Sequence, residues 1–262
     1  MLSEIKKHLQ EHPWRDKIQY FETMESTNTY AKHLAAEGAP EGTVIIAGHQ
    51  TGGRGRLGRS FSSPGQMGIY LSVILRPNCP PQELMHLTCA TAVAGCAAVE
   101  EATGSFPQIK WTNDLVLGKR KLGGILTELS VNPATGVVDW VVTGIGINCC
   151  QKTTDFPEEI RQIACSLGIQ WSDTPALFAA LIRRFEQMGR DLLGEKDAIL
   201  EEFQRRCVTI GSQISILRGD EVRHGTALGI DENGGLLVRY EDGSRGCVTS
   251  GEVSIRGMYG YL

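Results

Sequence analysis

Gly53-Arg54-Gly55-Arg56-Leu57-Gly58-Arg59 gathers three glycines and three arginines into one short stretch. It follows an apolar, β-branched run, Thr43-Val44-Ile45-Ile46-Ala47, which reads as a buried strand. Glycine lets a backbone fold tightly around a ligand, and arginine supplies planar forks that pair bidentately with phosphate or carboxylate. The composition predicts a flap, poorly ordered alone, that closes over an anion.

What comes next decides the fold. Gly53, Gly55 and Gly58 satisfy G-x-G-x-x-G, and Gly53 to Ser60 nearly satisfy the Walker A pattern, with Arg59 in the lysine position. Both fingerprints need a helix directly after the loop, its N-terminus facing the phosphates. Here Phe61-Ser62-Ser63-Pro64-Gly65-Gln66 breaks any helix, and Gly68-Ile69-Tyr70-Leu71-Ser72-Val73-Ile74-Leu75 reads as a second strand. Strand–loop–strand is the wrong context for a dinucleotide or P-loop site.

Upstream, Ser26-Thr27-Asn28-Thr29 caps a helix ending near Gly38. Downstream, Pro80-Pro81 opens an alanine-rich helix, Glu83 to Ala102, stopped by Gly104. Strands are expected at Gln108–Lys110, Asp114–Leu117, Gly124–Ser130 and Trp140–Gly146, then a helical block from Pro157 to Cys207, broken near Gly168–Pro175. This irregular mixture predicts an α+β fold, a mixed β-sheet flanked by helices. From about Thr209 the pattern changes to Gln213–Leu217, Glu221–Ile230, Leu236–Tyr240 and Ser244–Val248. These short strands are separated by turns at Arg218-Gly219-Asp220, Asn233-Gly234-Gly235 and Glu241-Asp242-Gly243. Such spacing describes a small antiparallel β-barrel. The expected domains are 1–208, with 1–20 as a short extension, and 209–262.

Over 262 residues, 41% hydrophobic and 21% charged, the net charge is −4, so the arginines are a local feature. A nucleic-acid binder would carry a basic face over the whole domain. No apolar run reaches the length of a membrane span, and Met1 to Trp14 lacks the core of a signal peptide. The eight cysteines, at 79, 89, 96, 149, 150, 165, 207 and 247, contain no C-x-x-C pair. They read as reduced thiols of a cytoplasmic protein, and no metal site is expected.

Two further clusters carry chemistry. Lys110-Trp111-Thr112-Asn113-Asp114-Leu115 sits between strands, and Lys121-Leu122-Gly123-Gly124-Ile125-Leu126 opens the next. A lysine at the entrance of a glycine-led strand can point its charge at a ligand lying on bare backbone. Taken alone, the same residues read equally as snorkelling lysines, a core tryptophan and a turn. Gly144-Ile145-Gly146-Ile147-Asn148 ends another strand, where paired glycines serve close packing more often than binding.

In order, these clusters, with Ser26-Thr27-Asn28, Gln50 and the ending Gly251-Glu252-Val253-Ser254-Ile255-Arg256, resemble the biotin–protein ligases from about residue 21 to 257. The resemblance implies a biotin/lipoate ligase-like catalytic domain and an SH3-like barrel. It implies that biotin and ATP, with Mg2+ bridging the phosphates, form biotinyl-adenylate, and that the acyl group passes to a lysine of a biotin carboxyl carrier domain. It places Ser26, Thr27, Asn28, Gln50, Arg54, Gly55, Arg56, Lys121 and Gly124 on biotin. Arg54, Arg56, Arg59, Lys110, Asn113, Asn148 and Arg256 fall on ATP or the adenylate. Lys121, Asp114, Arg54 and Arg56 become the catalytic groups, with Asp114 orienting or deprotonating the acceptor lysine. Thr112 departs from the family pattern, which has proline there. Only about 20 residues precede the match, so no DNA-binding domain, and no repressor role, is expected. A homodimer is compatible with the sequence. The rival readings are a lipoate or octanoate ligase or transferase, for which a polar ring pocket would be wasted, and a non-catalytic sensor, against which Asp114, Lys121 and the arginines argue.

Overall fold

In the computed structural model, which describes residues 1–218, 221–249 and 252–255, the glycine–arginine stretch joins two neighbouring antiparallel strands of one sheet. The first unit runs α1 (Leu2–Lys7), β1 (Ile18–Phe21), α2 (Thr27–Ala36), β2 (Val44–Ala47), β3 (Gly68–Leu75) and α3 (Leu87–Thr103). It continues through β4 (Gln108–Lys110), β5 (Asp114–Leu117), β6 (Arg120–Val131), β7 (Val138–Asn148), α4 (Thr174–Asp191) and α5 (Lys196–Arg206). Its sheet has the order β1-β2-β3-β7-β6-β5-β4. The β1–β2 pair is parallel and the others are antiparallel, so the sheet is mixed, as the sequence pattern predicts.

The strand period of two divides the core into layers. Ile45, Ile74 and Val142 face α2 and pack on Ala31 and Ala35. Their neighbours Val44, Ile46, Val73, Leu75 and Val141 face the opposite way, into the layer holding α3 and α4. Small residues on α3, among them Ala90, Ala94, Gly95 and Ala98, let that helix lie close to the strands. Gly104, at φ +69°, ends it in the left-handed conformation that glycine adopts without strain.

Two sequence expectations change. The helix expected from Glu83 begins at Leu87, because Pro81–Leu84 forms a separate 3-10 turn. The helical block expected from Pro157 contains no α-helix before Thr174. Instead Lys121 N donates to Ile163 O at 2.7 Å and Cys165 N donates to Lys121 O at 2.8 Å, so this segment pairs with the start of β6. Pro157 and Gly168, the latter at φ +72°, bound this stretch.

The second unit comprises β8 (Gln213–Arg218), β9 (Glu221–Ile230), β10 (Leu236–Tyr240), β11 (Arg245–Val248) and β12 (Glu252–Ile255). They form an antiparallel SH3-like sheet ordered β11-β10-β9-β8-β12. It is tied to the first unit at Trp111, whose backbone N donates to Thr209 Oγ1 and whose indole Nε1 donates to Gly234 O, each at 2.9 Å. Of the expected turn at Arg218-Gly219-Asp220, Gly219 and Asp220 lie outside the described residues, as do Gly251 and Arg256.

Candidate active site

Ser26 is in extended conformation just before α2, and its Oγ accepts from Thr29 N at 3.4 Å. That cap turns the first residues of α2 toward Gln50, in the loop that follows β2. Thr27 N donates to Gln50 Oε1 at 2.8 Å and Thr27 Oγ1 to the same oxygen at 3.1 Å. Gln50 Nε2 donates to Ser63 Oγ at 2.9 Å. Asn28 is tied inward: Nδ2 donates to Leu126 O and Glu128 Oε2, at 3.1 and 3.0 Å, and Oδ1 lies 2.6 Å from the buried Ser72 Oγ. A Cβ at Gly144 would come within 1.9 Å of Asn28 Oδ1, so glycine alone admits this side chain. The result is a wall of small hydroxyl and amide groups.

The facing wall is cationic. Asp114 on β5 pairs in register with Gly124 on β6, and Leu115 with Gly123, but the next pair is Val116 with Lys121. Leu122 is therefore an extra residue, a β-bulge. In a regular ladder that kept Leu122 paired, Lys121 and Gly124, three apart, would point to opposite faces. With the bulge Lys121, Gly124 and Asp114 share the cleft face, and Lys121 Nζ lies 2.6 Å from Asp114 Oδ1. Lys110 Nζ, almost fully buried, is 4.0 Å from Asp114 Oδ2. A Cβ on Gly124 would sit 3.6 Å from Lys121 Cε, so this glycine leaves bare backbone as a floor.

The glycine–arginine stretch spans both walls rather than hanging loose. Gly55 N donates to Arg59 O at 2.7 Å, and Phe61 N to Gly53 O at 2.9 Å. Arg56 Nη1 donates to Asn113 Oδ1 at 3.1 Å, while Asn113 Nδ2 donates to Ile125 O at 3.0 Å. Burial pulls the Arg56 guanidinium below its usual pKa and the Asp114 charge opposes that pull; the group stays cationic. Arg54 is more exposed and lies 3.5 Å from Glu25 Oε1.

Together the walls line an open cleft. The structure brings to it Ser26, Asn28, Gln50 and Gly124; Arg54, Gly55, Arg56 and Arg59; and Lys110, Asn113, Asp114 and Lys121. Thr27 stands directly behind Gln50. Asn148 does not line this cleft: its Nδ2 donates to Cys165 O at 3.0 Å and its Oδ1 accepts from Gln151 Nε2 at 3.1 Å. Arg256 lies outside the described residues. Sequence reasoning missed Phe61, whose ring covers Gly146 so closely that a Cβ there would meet it at 2.5 Å. It also missed Val253 of β12, which reaches the cleft from the second unit. A lone phenylalanine after a loop and a valine in a short strand give no signal of their own. Among the described residues no group of three His, Cys, Asp or Glu could hold a metal ion, and Asp114 is the only carboxylate lining the cleft.

A cleft with a hydroxyl-and-amide end, a bare glycine floor and converging cations suits activation of a carboxylic acid by a phosphate compound. The chain belongs to the biotin/lipoate A/B protein ligase family, whose model matches residues 20–148, and the biotin protein ligase C-terminal domain model matches 209–256. It is 35% identical to the bifunctional ligase/repressor BirA of Bacillus subtilis over 92% of this chain and 75% of the relative. It is 32% identical to the biotin–[acetyl-CoA-carboxylase] ligase of Mycobacterium tuberculosis over 81% and 79% of the two chains. Among solved structures, the biotin protein ligase of Aquifex aeolicus in complex with biotin and ATP is 29% identical, covers 91% of this chain and 98% of that one, and superposes with a TM-score of 0.74.

Proposed function

We propose that this chain is an ATP-dependent biotin–protein ligase that forms biotinyl-adenylate and passes biotin to a lysine of a carboxyl carrier domain. The observation that carries the reading is one cleft holding Ser26 and Gln50 at one end and Lys121, Asp114 and Arg56 at the other, joined by the Gly124 floor. The ureido ring is small, neutral and rich in hydrogen-bonding groups, and the Ser26–Thr27–Gln50 wall offers donors and acceptors of matching size. The valeryl chain then runs over Gly124 and delivers its carboxylate to Lys121 and the arginines.

Attack of that carboxylate on the α-phosphorus of ATP joins two anions. Arg54, Arg56, Arg59, Lys110 and Lys121 offset the repulsion and stabilise charge building on the phosphate oxygens. An oxygen of the carboxylate forms the new bond to phosphorus and pyrophosphate leaves. In the second step the acceptor amine attacks the acyl carbon, AMP leaves with the bonding pair, and the amine loses a proton. Asp114 is the group placed to orient that amine or take the proton, since a lysine with a pKa near 10.4 is a poor nucleophile at neutral pH. Lys121 serves both steps by holding the oxygens that join acyl group to phosphate. The protein groups do not fit a resident metal; Mg2+ belongs in this reading to the nucleotide substrate, and no step is assigned to it.

The first unit carries the chemistry and the unit from residue 209 contributes Val253 to the same cleft. Residues 1–17 hold the short helix α1 and a 3-10 turn, and the net charge of −4 supports a ligase without a DNA-binding role. No helix among the described residues is long and apolar enough to cross a membrane, and the free thiols fit the cytoplasm. The test is biotin-dependent pyrophosphate release with ATP and magnesium, then mass spectrometry of a supplied carrier domain. Release with one biotinyl addition supports the reading; a response to lipoate or octanoate in place of biotin moves the chain to the sister activity, and binding without turnover makes it a sensor.

A further inference from the structure

The polar network behind the ring end runs on past the cleft. Glu128, on β6, places Oε1 2.6 Å from Lys32 Nζ of α2 and Oε2 3.0 Å from Asn28 Nδ2. It does not line the cleft, and no step above uses it. The two amide protons of Asn28 go to Leu126 O and to this carboxylate, both of which only accept, so Oδ1 is turned toward Ser72. Ser72 is fully buried, and its single hydroxyl proton lies between Asn28 Oδ1 at 2.6 Å and Thr27 Oγ1 at 2.8 Å. Asn28 Oδ1 has no proton to offer, so it receives the one on Ser72. The Thr27 hydroxyl then has two inward acceptors, Ser72 Oγ and Gln50 Oε1 at 3.1 Å, which leaves its lone pairs for a ligand. With the Asn28 amide reversed, its N–H would face Ser72, the Ser72 proton would pass to Thr27, and Thr27 would be left with Gln50 Oε1 and the cleft as the acceptors competing for its proton.

We propose that Glu128 is a positioning residue: by selecting the Asn28 amide orientation it makes Thr27 an acceptor for an N–H of a bound cyclic urea. The inference rests on the biotin-ligase reading above. One relation supports it independently of any ligand: Lys32 pins the carboxylate from the far side.

The experiment compares the wild-type chain with Glu128→Leu and Glu128→Gln, measuring KM for biotin and for ATP in pyrophosphate release, with thermal unfolding alongside. Leucine cannot accept from Asn28, whereas the glutamine oxygen can. Glu128→Leu is expected to raise KM for biotin about tenfold, the loss typical of a hydrogen bond to a charged group, with KM for ATP within about twofold. Glu128→Gln is expected to restore KM for biotin to within about threefold of wild type. An unchanged KM in Glu128→Leu overturns the proposal. So does an equal loss in both variants, or a rise in both KM values with a lowered melting temperature and no rescue by glutamine. A wild-type chain that gives no biotin-dependent turnover overturns the ligase reading, and this inference with it, before any variant is compared.

Discussion

Lys121 Nζ and Asp114 Oδ1 are 2.6 Å apart, on adjacent strands and on one face of the sheet. The cation proposed to meet the first substrate's phosphate thus rests on the carboxylate proposed to serve the second. A phosphate arriving at Lys121 competes with Asp114 for the same ammonium protons, and Lys110, 4.0 Å from the other oxygen, keeps the carboxylate from being left without a counter-charge.

Replacing Lys121 with alanine removes a charge aimed at the transition state, not a part of the core. Pyrophosphate release is expected to fall by about 10²–10³, the usual cost of one preorganised electrostatic donor. The Lys121 side chain is 32% exposed and Asp114, only 13% exposed, keeps Lys110 as a counter-charge, so the melting temperature should fall by no more than about 5 °C. Wild-type turnover would remove Lys121 from the mechanism.

Asp114→Asn separates the two half-reactions. Lys121 keeps its charge, so adenylate formation should change by less than about tenfold, while transfer from biotinyl-adenylate to a carrier lysine should drop by about 10²-fold, as for loss of a general base. Transfer is measured with preformed adenylate and carrier domain. Equal losses in both assays would place Asp114 in the first step instead.

Two adjacent glycines are expected to answer to different measurements. A Cβ at Gly123 would lie 2.3 Å from Gly146 O, a backbone atom of the next strand that cannot move alone. Gly123→Ala should therefore cost about 1–3 kcal/mol of stability, read by urea unfolding. At Gly124 the nearest atom is Lys121 Cε at 3.6 Å, an ordinary contact. Gly124→Ala should leave the urea midpoint unchanged and raise KM for biotin, because the added methyl occupies the floor.

Stability should fall on mild acidification through His86. This residue is buried at the start of α3, with Nε2 donating to Leu192 O at 2.8 Å and Nδ1 buried without a partner. Burial lowers its pKa from the ordinary 6.5, the Leu192 carbonyl partly offsets that, and the charge of Lys196 lowers it again. Above 6.5 both folded and unfolded chains hold it neutral; as pH falls below that value the unfolded chain binds a proton that the folded chain refuses. Stability is thus full above 6.5 and lost as pH falls toward the lowered folded value. His12 is shifted the same way by burial and adds to the slope. The urea midpoint should drop between about pH 8 and pH 5.5, and less so in His86→Gln.

Local chemistry made much of this legible. β3, β4, β5, β9 and β10 lie where β-branched runs and Asn-Gly or Asp-Gly turns placed them, since those signals act within a few residues. The stretch from Pro157 to Thr174 was misread because its apolar residues suit a helix, whereas its backbone is claimed by Lys121 some forty residues upstream in the chain. β1, four residues between charged neighbours, was too short to announce itself. In the site, the fold gathers most of the residues the resemblance points to around one cleft, but the resemblance does not name their partners. Asn28 was expected on the ligand, and the structure shows its amide tied to Leu126, Glu128 and Ser72, contacts made across strands far apart in sequence.

The extra residue in β6 has a consequence for anyone redesigning this chain. Inserting one residue into β5 opposite Leu122 would leave in place every residue named in the cleft and would make the ladder more regular. It would also put Lys121, three residues before Gly124, on the opposite face, away from Asp114 and toward the apolar layer under α3. The inventory of the site would read as complete, and the site would be gone.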